Sequence, residues 1–182
     1  MATNKIENPT QGDTIIFKET AKDTKGELLE FDMFIEPTAS GPPQHVHPNA
    51  EEQFEVLSGK VQAKIRDKTY HFEQGDAFTV PSGIAHAWWG EGNEQAQVRV
   101  QLRPATQMED FLRTWYGLAK DGKINDNGLP SIWQLAVTSK EYLNSVHLAN
   151  PPLFLQKVLW GILSPIAKIL GYKSNYPYPS EK

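Results

Sequence analysis

The sequence predicts an all-β domain, a sandwich or barrel, followed by a helical C-terminal extension. Three observations carry this. Seven short stretches between residues 14 and 104 have strand character, and several alternate apolar and polar side chains with period two. Gly and Pro punctuate them at Gly26, Pro37, Gly59, Gly75, Pro81, Gly83 and Pro104. After Pro104 the apolar spacing changes to that of a helix. Many short strands separated by regular turns form sandwiches or barrels, because such strands bury one face each against a second sheet.

The elements follow in order. Met1 to Asp13 is polar, carries Lys5, Glu7 and Asp13, and lacks the apolar run of a signal peptide, so the expected location is cytoplasmic. The predicted strands are Thr14–Lys18, Leu28–Ile35, Gln53–Leu57, Val61–Arg66, Lys68–Phe72, Ala77–Val80 and Gln97–Leu102. Ser58-Gly59-Lys60 reads as a hairpin turn between two of them. Phe54 and Val56 share the parity of Glu52 and should point inward, with Gln53 and Glu55 outward. In the last strand Val98, Val100 and Leu102 are expected inside, and Arg99, Gln101 and Arg103 on the solvent face. Beyond it, Met108, Phe111, Leu112, Trp115, Leu118 and Ala119 have helical spacing. Ser131 is placed to cap a second helix carrying Ile132, Leu135, Ala136 and Leu143. A third runs from Leu153 to Leu170, with Pro165 expected to interrupt it. The tail from Gly171 to Lys182 places Tyr172, Tyr176 and Tyr178 among prolines and should be extended.

Bulk properties remove several classes of function. A chain of 182 residues holds one domain with a core plus an appendage. A net charge of −4 provides no basic footprint for nucleic acid. The absence of cysteine excludes disulfides, thiolate metal sites and cysteine nucleophiles. The apolar segment 153–170 contains Gln156, Lys157, Ser164, Pro165 and Lys168, and a spanning helix needs about 20 predominantly apolar residues. Membrane spanning is therefore not expected.

Two segments carry chemistry. The first runs from Gly41 through His45-Val46-His47 and Glu51-Glu52 to Gly59, and the second from Gly75 through Pro81 and Gly83 to His86. His45 and His47 are two apart, so on a strand they point to one face. A carboxylate, Glu52, follows five residues after His47, and a third histidine ends a separate Gly-to-Pro strand. Three imidazoles and one carboxylate make a nitrogen and oxygen donor set that suits a divalent iron, manganese, nickel, copper or zinc ion. Lone histidines are more often ordinary polar residues, and His71 and His147, which have no partner in the pattern, are read so.

These segments resemble the paired signatures of the cupin superfamily. Gly, His-x-His, Glu and Gly of the first signature match His45, His47, Glu52 and Gly59; Gly, Pro-x-Gly and His of the second match Gly75, Pro81, Gly83 and His86. Glu51 satisfies a looser spacing and is read as a surface charge. The leading Gly lies closer to the histidine pair than the signature has it, and Gly90 stands where the second signature ends in Asn. The resemblance covers about residues 28–104. It implies a double-stranded β-helix, or jelly-roll barrel, over residues 14–104 and a helical extension over 105–182. It also implies that His45, His47, Glu52 and His86 ligate one divalent transition metal (Fe, Ni, Mn, Cu or Zn). Cupins often dimerise, so a homodimer is expected, with the apolar segment 153–170 packed on the barrel or on a second copy.

The fold does not fix a reaction. The leading expectation is a metal-dependent enzyme acting on a small organic molecule. For three histidines and one glutamate, the resemblance implies dioxygenation of the quercetinase type first, with Glu52 as the catalytic proton acceptor. An isomerase using the metal as a Lewis acid is second. The alternative from another class is a non-catalytic cupin that binds or senses a small molecule. Trp88 shares parity with His86 and belongs either to a pocket wall or to the core.

Overall fold

The structure is a computed structural model and describes residues 4–178; Met1 to Thr3 and the tail beyond Tyr178 lie outside it. The strands are β1 (Lys5–Asn8), β2 (Asp13–Glu19), β3 (Leu29–Ile35), β4 (His45–Val46), β5 (Glu51–Ser58), β6 (Lys60–Ile65), β7 (Lys68–Glu73), β8 (Ala77–Val80), β9 (His86–Glu91) and β10 (Ala96–Arg103). Helices α1 (Met108–Lys120) and α2 (Ile132–Glu141) follow, then a two-residue strand β11 (His147–Leu148) and helix α3 (Leu153–Ile169). The strands make two antiparallel sheets, in the orders β1-β2-β3-β10-β5-β8 and β11-β4-β9-β6-β7. This is the double-stranded β-helix of a jelly roll, with a helical segment after it.

Period-two alternation decides which face of each strand is buried. In β5, Glu52, Phe54 and Val56 are buried while Glu51, Gln53 and Glu55 are exposed. In β10, Val98, Val100 and Leu102 are buried, and Arg99 turns outward to Asp32 at 3.2 Å. Burying side chains of this size stabilises the fold by about 1.5–3 kcal/mol each. Phe54 stacks on Phe78 with ring centroids 4.6 Å apart, and Phe78 on Phe72 at 4.0 Å. The second of these contacts ties the two sheets together, since β7 and β8 belong to different ones. The core continues from the barrel into Met108, Leu112, Trp115, Leu118, Leu135, Tyr142 and Trp160 of the helical segment.

Several details differ from the sequence expectations. The first sheet begins at Lys5, because Ile6 and Asn8 are buried in alternation while Lys5 is exposed. Ser58-Gly59-Lys60 is not a hairpin turn: β5 lies in one sheet and β6 in the other, so Gly59 is the corner between them. Gly59 has φ +74°, and a Cβ there would lie 2.7 Å from Ala96 Cα, so the corner requires glycine. The hairpin that does form joins β6 to β7 through Arg66 and Asp67. Helix α2 is capped by Ser131, whose Oγ accepts from the Gln134 N–H, but it ends at Glu141 and leaves Leu143 outside. Pro165 does not interrupt α3. Pro165 and Gly161 are both exposed, so the carbonyl deprived of its donor can turn to water.

Helix α3 buries a narrow seam of Gln156, Trp160, Ser164 and Ala167, while Phe154, Val158, Ile162, Ile166 and Ile169 face outward. Gln156 donates to the Leu148 and Pro151 carbonyls at 2.8 and 2.6 Å. Among the described residues no helix is long and apolar enough to cross a membrane. The tail to Tyr178 lies along α1 and α2: Gln134 donates to the Lys173 carbonyl at 2.8 Å, and the Tyr176 N–H to Thr114 Oγ1 at 3.2 Å.

Candidate metal centre

The barrel brings His45, His47, Glu52 and His86 together, with one donor atom from each all within 4.8 Å of one another. Strands β4 and β9 are neighbours, and their register sets His45 opposite His86. His47 follows β4 on the same face. Glu52 comes from β5 in the other sheet, so the cluster bridges the barrel. Glu51, one residue earlier, is exposed. The choice between the two carboxylates is thus made by strand parity.

Backbone carbonyls orient all three imidazoles. Nδ1 of His45 donates to the Pro43 carbonyl at 2.9 Å, Nδ1 of His47 to Ser145 at 2.9 Å, and Nδ1 of His86 to Ile84 at 3.0 Å. A carbonyl only accepts, so each Nδ1 carries a proton, and in the neutral ring each Nε2 presents a lone pair to the cluster. This is the tautomer a metal-binding histidine needs, with its outer nitrogen held by a second partner. Ser145 lies in the segment after α2, so the helical region helps to build the site.

The inward atoms test whether a cation fits. His86 Nε2 is 2.8 Å from Glu52 Oε2, and His47 Nε2 is 3.4 Å from the same oxygen. His47 Nε2 is buried and makes no hydrogen bond. Lone pairs converging on an ionised oxygen repel unless a proton or a cation lies between them. At ligand distances of about 2.1 Å, adjacent donors around an octahedral ion are separated by about 3 Å, which these contacts match. The residues therefore fit a divalent metal ion.

Electrostatics point the same way. Burial, and then the neighbouring His86 and His47, hold His45 well below the usual imidazole range and keep it neutral. Burial also pushes His47 down, but the Glu52 charge outweighs it and lifts His47 above its usual value. Burial disfavours the Glu52 carboxylate, yet its attraction to the adjoining His47 and His86 imidazoles holds it well below the usual carboxylate range. Glu52 is thus ionised, and either a proton on His47 or a bound cation answers its charge.

His45 and Glu52 also line a cavity of about 90 Å³ between the barrel and α1. Its walls are mainly apolar, with Phe31, Met33, Trp88, Val100 and Trp115 among them. Trp88 is therefore a wall residue, as its parity with His86 allowed. Gln44 donates to the Arg66 carbonyl at 2.9 Å instead of reaching the cavity. His71 pairs with Glu91 at 2.9 Å on the surface. His147 is outside the cluster but lines the cavity. Sequence reading missed His147 there, and also Gln11, Asp13 and Tyr116. Asp13 was detectable: it shares parity with the buried Ile15 and Phe17 of β2.

The glycines at both departures from the cupin signature are required by close backbone contacts. A Cβ on Gly90 would lie 2.8 Å from the Glu36 carbonyl oxygen, so the larger Asn has no room. Gly41 has φ +66°, and a Cβ there would lie 1.8 Å from the Trp88 carbonyl oxygen.

Residues 31–101 match the family model described as a cupin domain. A protein of Hypocrea virens named "Probable oxidoreductase virH" is 29% identical over 140 residues, 73% of this chain and 61% of that protein. An oxidoreductase of Arthrobotrys oligospora is 30% identical over 95 residues, 48% of this chain and 38% of that protein. The chain thus matches less than two thirds of either relative's length. An RmlC-like cupin from Shewanella frigidimarina is similar in structure, with 18% identity, a TM-score of 0.48, and coverage of 57% of this chain and 86% of that one. An oxalate decarboxylase from Lactobacillus farciminis gives 18% identity and a TM-score of 0.46, covering 52% of this chain and 30% of that one. Neither structural likeness assigns an activity.

Proposed function

We propose that this protein is a metal-dependent oxidoreductase acting on a compact, largely apolar organic molecule, with dioxygenation as its reaction. The observation that carries the reading is the cluster of three Nε2-presenting histidines and one ionised glutamate at the wall of an apolar cavity. The oxidoreductase names of the two partial relatives support it. His45, His47, His86 and Glu52 would hold the ion. A divalent first-row ion supplies Lewis-acid polarisation and, where it is redox-active, electrons for dioxygen chemistry. The protein's own part is distinct. The three Nδ1–H bonds to backbone carbonyls fix the imidazoles. Glu52, held ionised and facing the cavity, accepts a proton from the substrate at its carboxylate. Phe31, Trp88, Val100 and Trp115 exclude water from the reacting centre.

The test is oxygen uptake by iron- or nickel-loaded protein across a panel of single-ring phenols and small diketones, alongside His86→Ala. Uptake with stoichiometric product, lost in the variant, is expected. Thermal stabilisation by a panel member with no oxygen uptake and no product would replace the enzyme with a binding cupin.

The homodimer is proposed on the outward apolar face of α3, where Phe154 is 70% and Ile162 61% exposed. A second copy covering that face would be displaced by Phe154→Glu with Ile162→Glu. Light scattering should then read a monomer where the unaltered protein reads a dimer; a monomer in both cases contradicts the proposal.

A further inference from the structure

Asp13 stands out among the buried groups that the metal reading leaves without a role. It begins β2 and is 5% exposed, with the parity of Ile15 and Phe17, which turns its carboxyl into the barrel. There it lines the cavity that His45 and Glu52 also line. One oxygen is answered: the Tyr116 hydroxyl of α1 donates to Oδ2. The other, Oδ1, is buried and has no hydrogen-bond partner. Burial pushes the carboxyl up to about 8, against the opposing effect of its own backbone N–H, so it is largely neutral at physiological pH. A buried carboxyl with one oxygen unpartnered costs stability and is uncommon in a well-packed interior. Here the residue lines a cavity whose other walls are mainly apolar side chains, and a ligand oxygen seated beside Asp13 would complete its hydrogen bonding.

We propose that Asp13, held by Tyr116, is a specificity residue of the cavity, and that its free Oδ1 binds the hydroxyl or carbonyl oxygen of a compact, single-ring or smaller organic ligand. This deepens the proposed function and rests on its reading of the cavity as the substrate site. Size follows from volume. An apolar cavity of roughly 150 Å³ takes a benzene ring, and at about 90 Å³ the present cavity is on the scale of one ring or less. Chemistry follows from the two kinds of polar group on the wall. His45 and Glu52 mark the metal side, and Asp13 with Tyr116 adds a second point of recognition. A ligand with an oxygen substituent satisfies Oδ1, whereas its unsubstituted counterpart leaves that oxygen unpartnered and binds more weakly.

The experiment compares 4-fluorophenol with fluorobenzene by 19F NMR titration of the full chain, once with chelator and once loaded with redox-inert zinc. The unaltered protein without metal should bind 4-fluorophenol at least about tenfold more tightly than fluorobenzene. In Asp13→Leu, which keeps the branched shape and removes both oxygens, the two probes should bind within about threefold of each other. A wild-type protein that does not distinguish them, or an Asp13→Leu variant that keeps the full preference, overturns the proposal. Should Asp13→Leu fail to fold, the carboxyl can be read directly in 13C-aspartate-labelled protein, its signal assigned by its loss in Asp13→Asn. That signal should move with bound 4-fluorophenol and stay in place with bound fluorobenzene; immobility with both overturns the proposal. Failure of the metal reading looks different: no zinc uptake, with the hydroxyl preference still present under chelator.

Discussion

Asp13→Asn should change how stability depends on pH in a direction opposite to that of an ordinary carboxylate. The Asp13 carboxyl is pushed up from 3.8 to about 8 by burial. In the unfolded chain it ionises near its ordinary value, so between about pH 4 and pH 8 the folded state holds a proton that the unfolded state has released. Below pH 4 the group is neutral in both states and imposes no penalty. As pH rises toward the folded value, stability is lost at about 1.4 kcal/mol per unit. Asparagine carries no proton and keeps a carbonyl oxygen for the Tyr116 hydroxyl, so its own cost is independent of pH. Between pH 5 and pH 7 the variant should therefore gain about 2–3 kcal/mol relative to the unaltered protein. Urea unfolding at pH 5, 6 and 7, on metal-free protein, measures this difference. Titration of His47 and Glu52 cancels in the comparison so long as the substitution leaves their surroundings intact. A difference that does not change with pH would refute the reasoning. A difference of opposite slope would mean that Asp13 is ionised in the fold.

The remaining predictions concern the cluster and the core. Glu52→Gln removes the cluster's charged oxygen and should weaken zinc or nickel affinity at least about tenfold by titration calorimetry, while Glu51→Gln, exposed on the opposite face of β5, should leave it unchanged; equal effects would mean that the wrong carboxylate is assigned. Phe54→Ala removes a ring 2% exposed and stacked on Phe78, and should cost about 3–5 kcal/mol in urea unfolding, with a loss below about 1 kcal/mol showing that this ring is not part of the core that holds the fold.

How much of this was legible in the sequence depended on the range of the forces involved. Strands β2, β3, β5, β6 and β10 were readable because each buries one face, and alternation is a local record of that burial. Strand β1 was hidden by polar composition, since only Ile6 and Asn8 turn inward. Strands β4 and β11 are two residues long and exist because distant segments pair with them, β9 and β11 with β4 and β4 with β11, the last across a separation of about a hundred residues, which no local pattern records. The same limit explains Gly59. A glycine turn is visible, but whether the next strand folds back or crosses to the other sheet depends on distant pairing. The four clustered residues were legible because strand parity and the paired signatures both pointed to them. The cavity was not, because its far wall comes from α1 and β11, and only the folded chain sets Tyr116 against Asp13.

The central claim is that His45, His47, Glu52 and His86 hold one metal ion, and metal content measures it most directly. Elemental mass spectrometry of the untagged protein should find about one iron, nickel, manganese, copper or zinc per chain, as purified or after reconstitution, and the His45→Ala/His86→Ala double variant should lose it while retaining the circular dichroism of the fold. Iron, nickel, manganese or copper would carry the oxidoreductase reading forward, whereas zinc alone would move it toward Lewis-acid chemistry. A full complement of metal in the double variant, or none in the unaltered protein after reconstitution, would contradict the account.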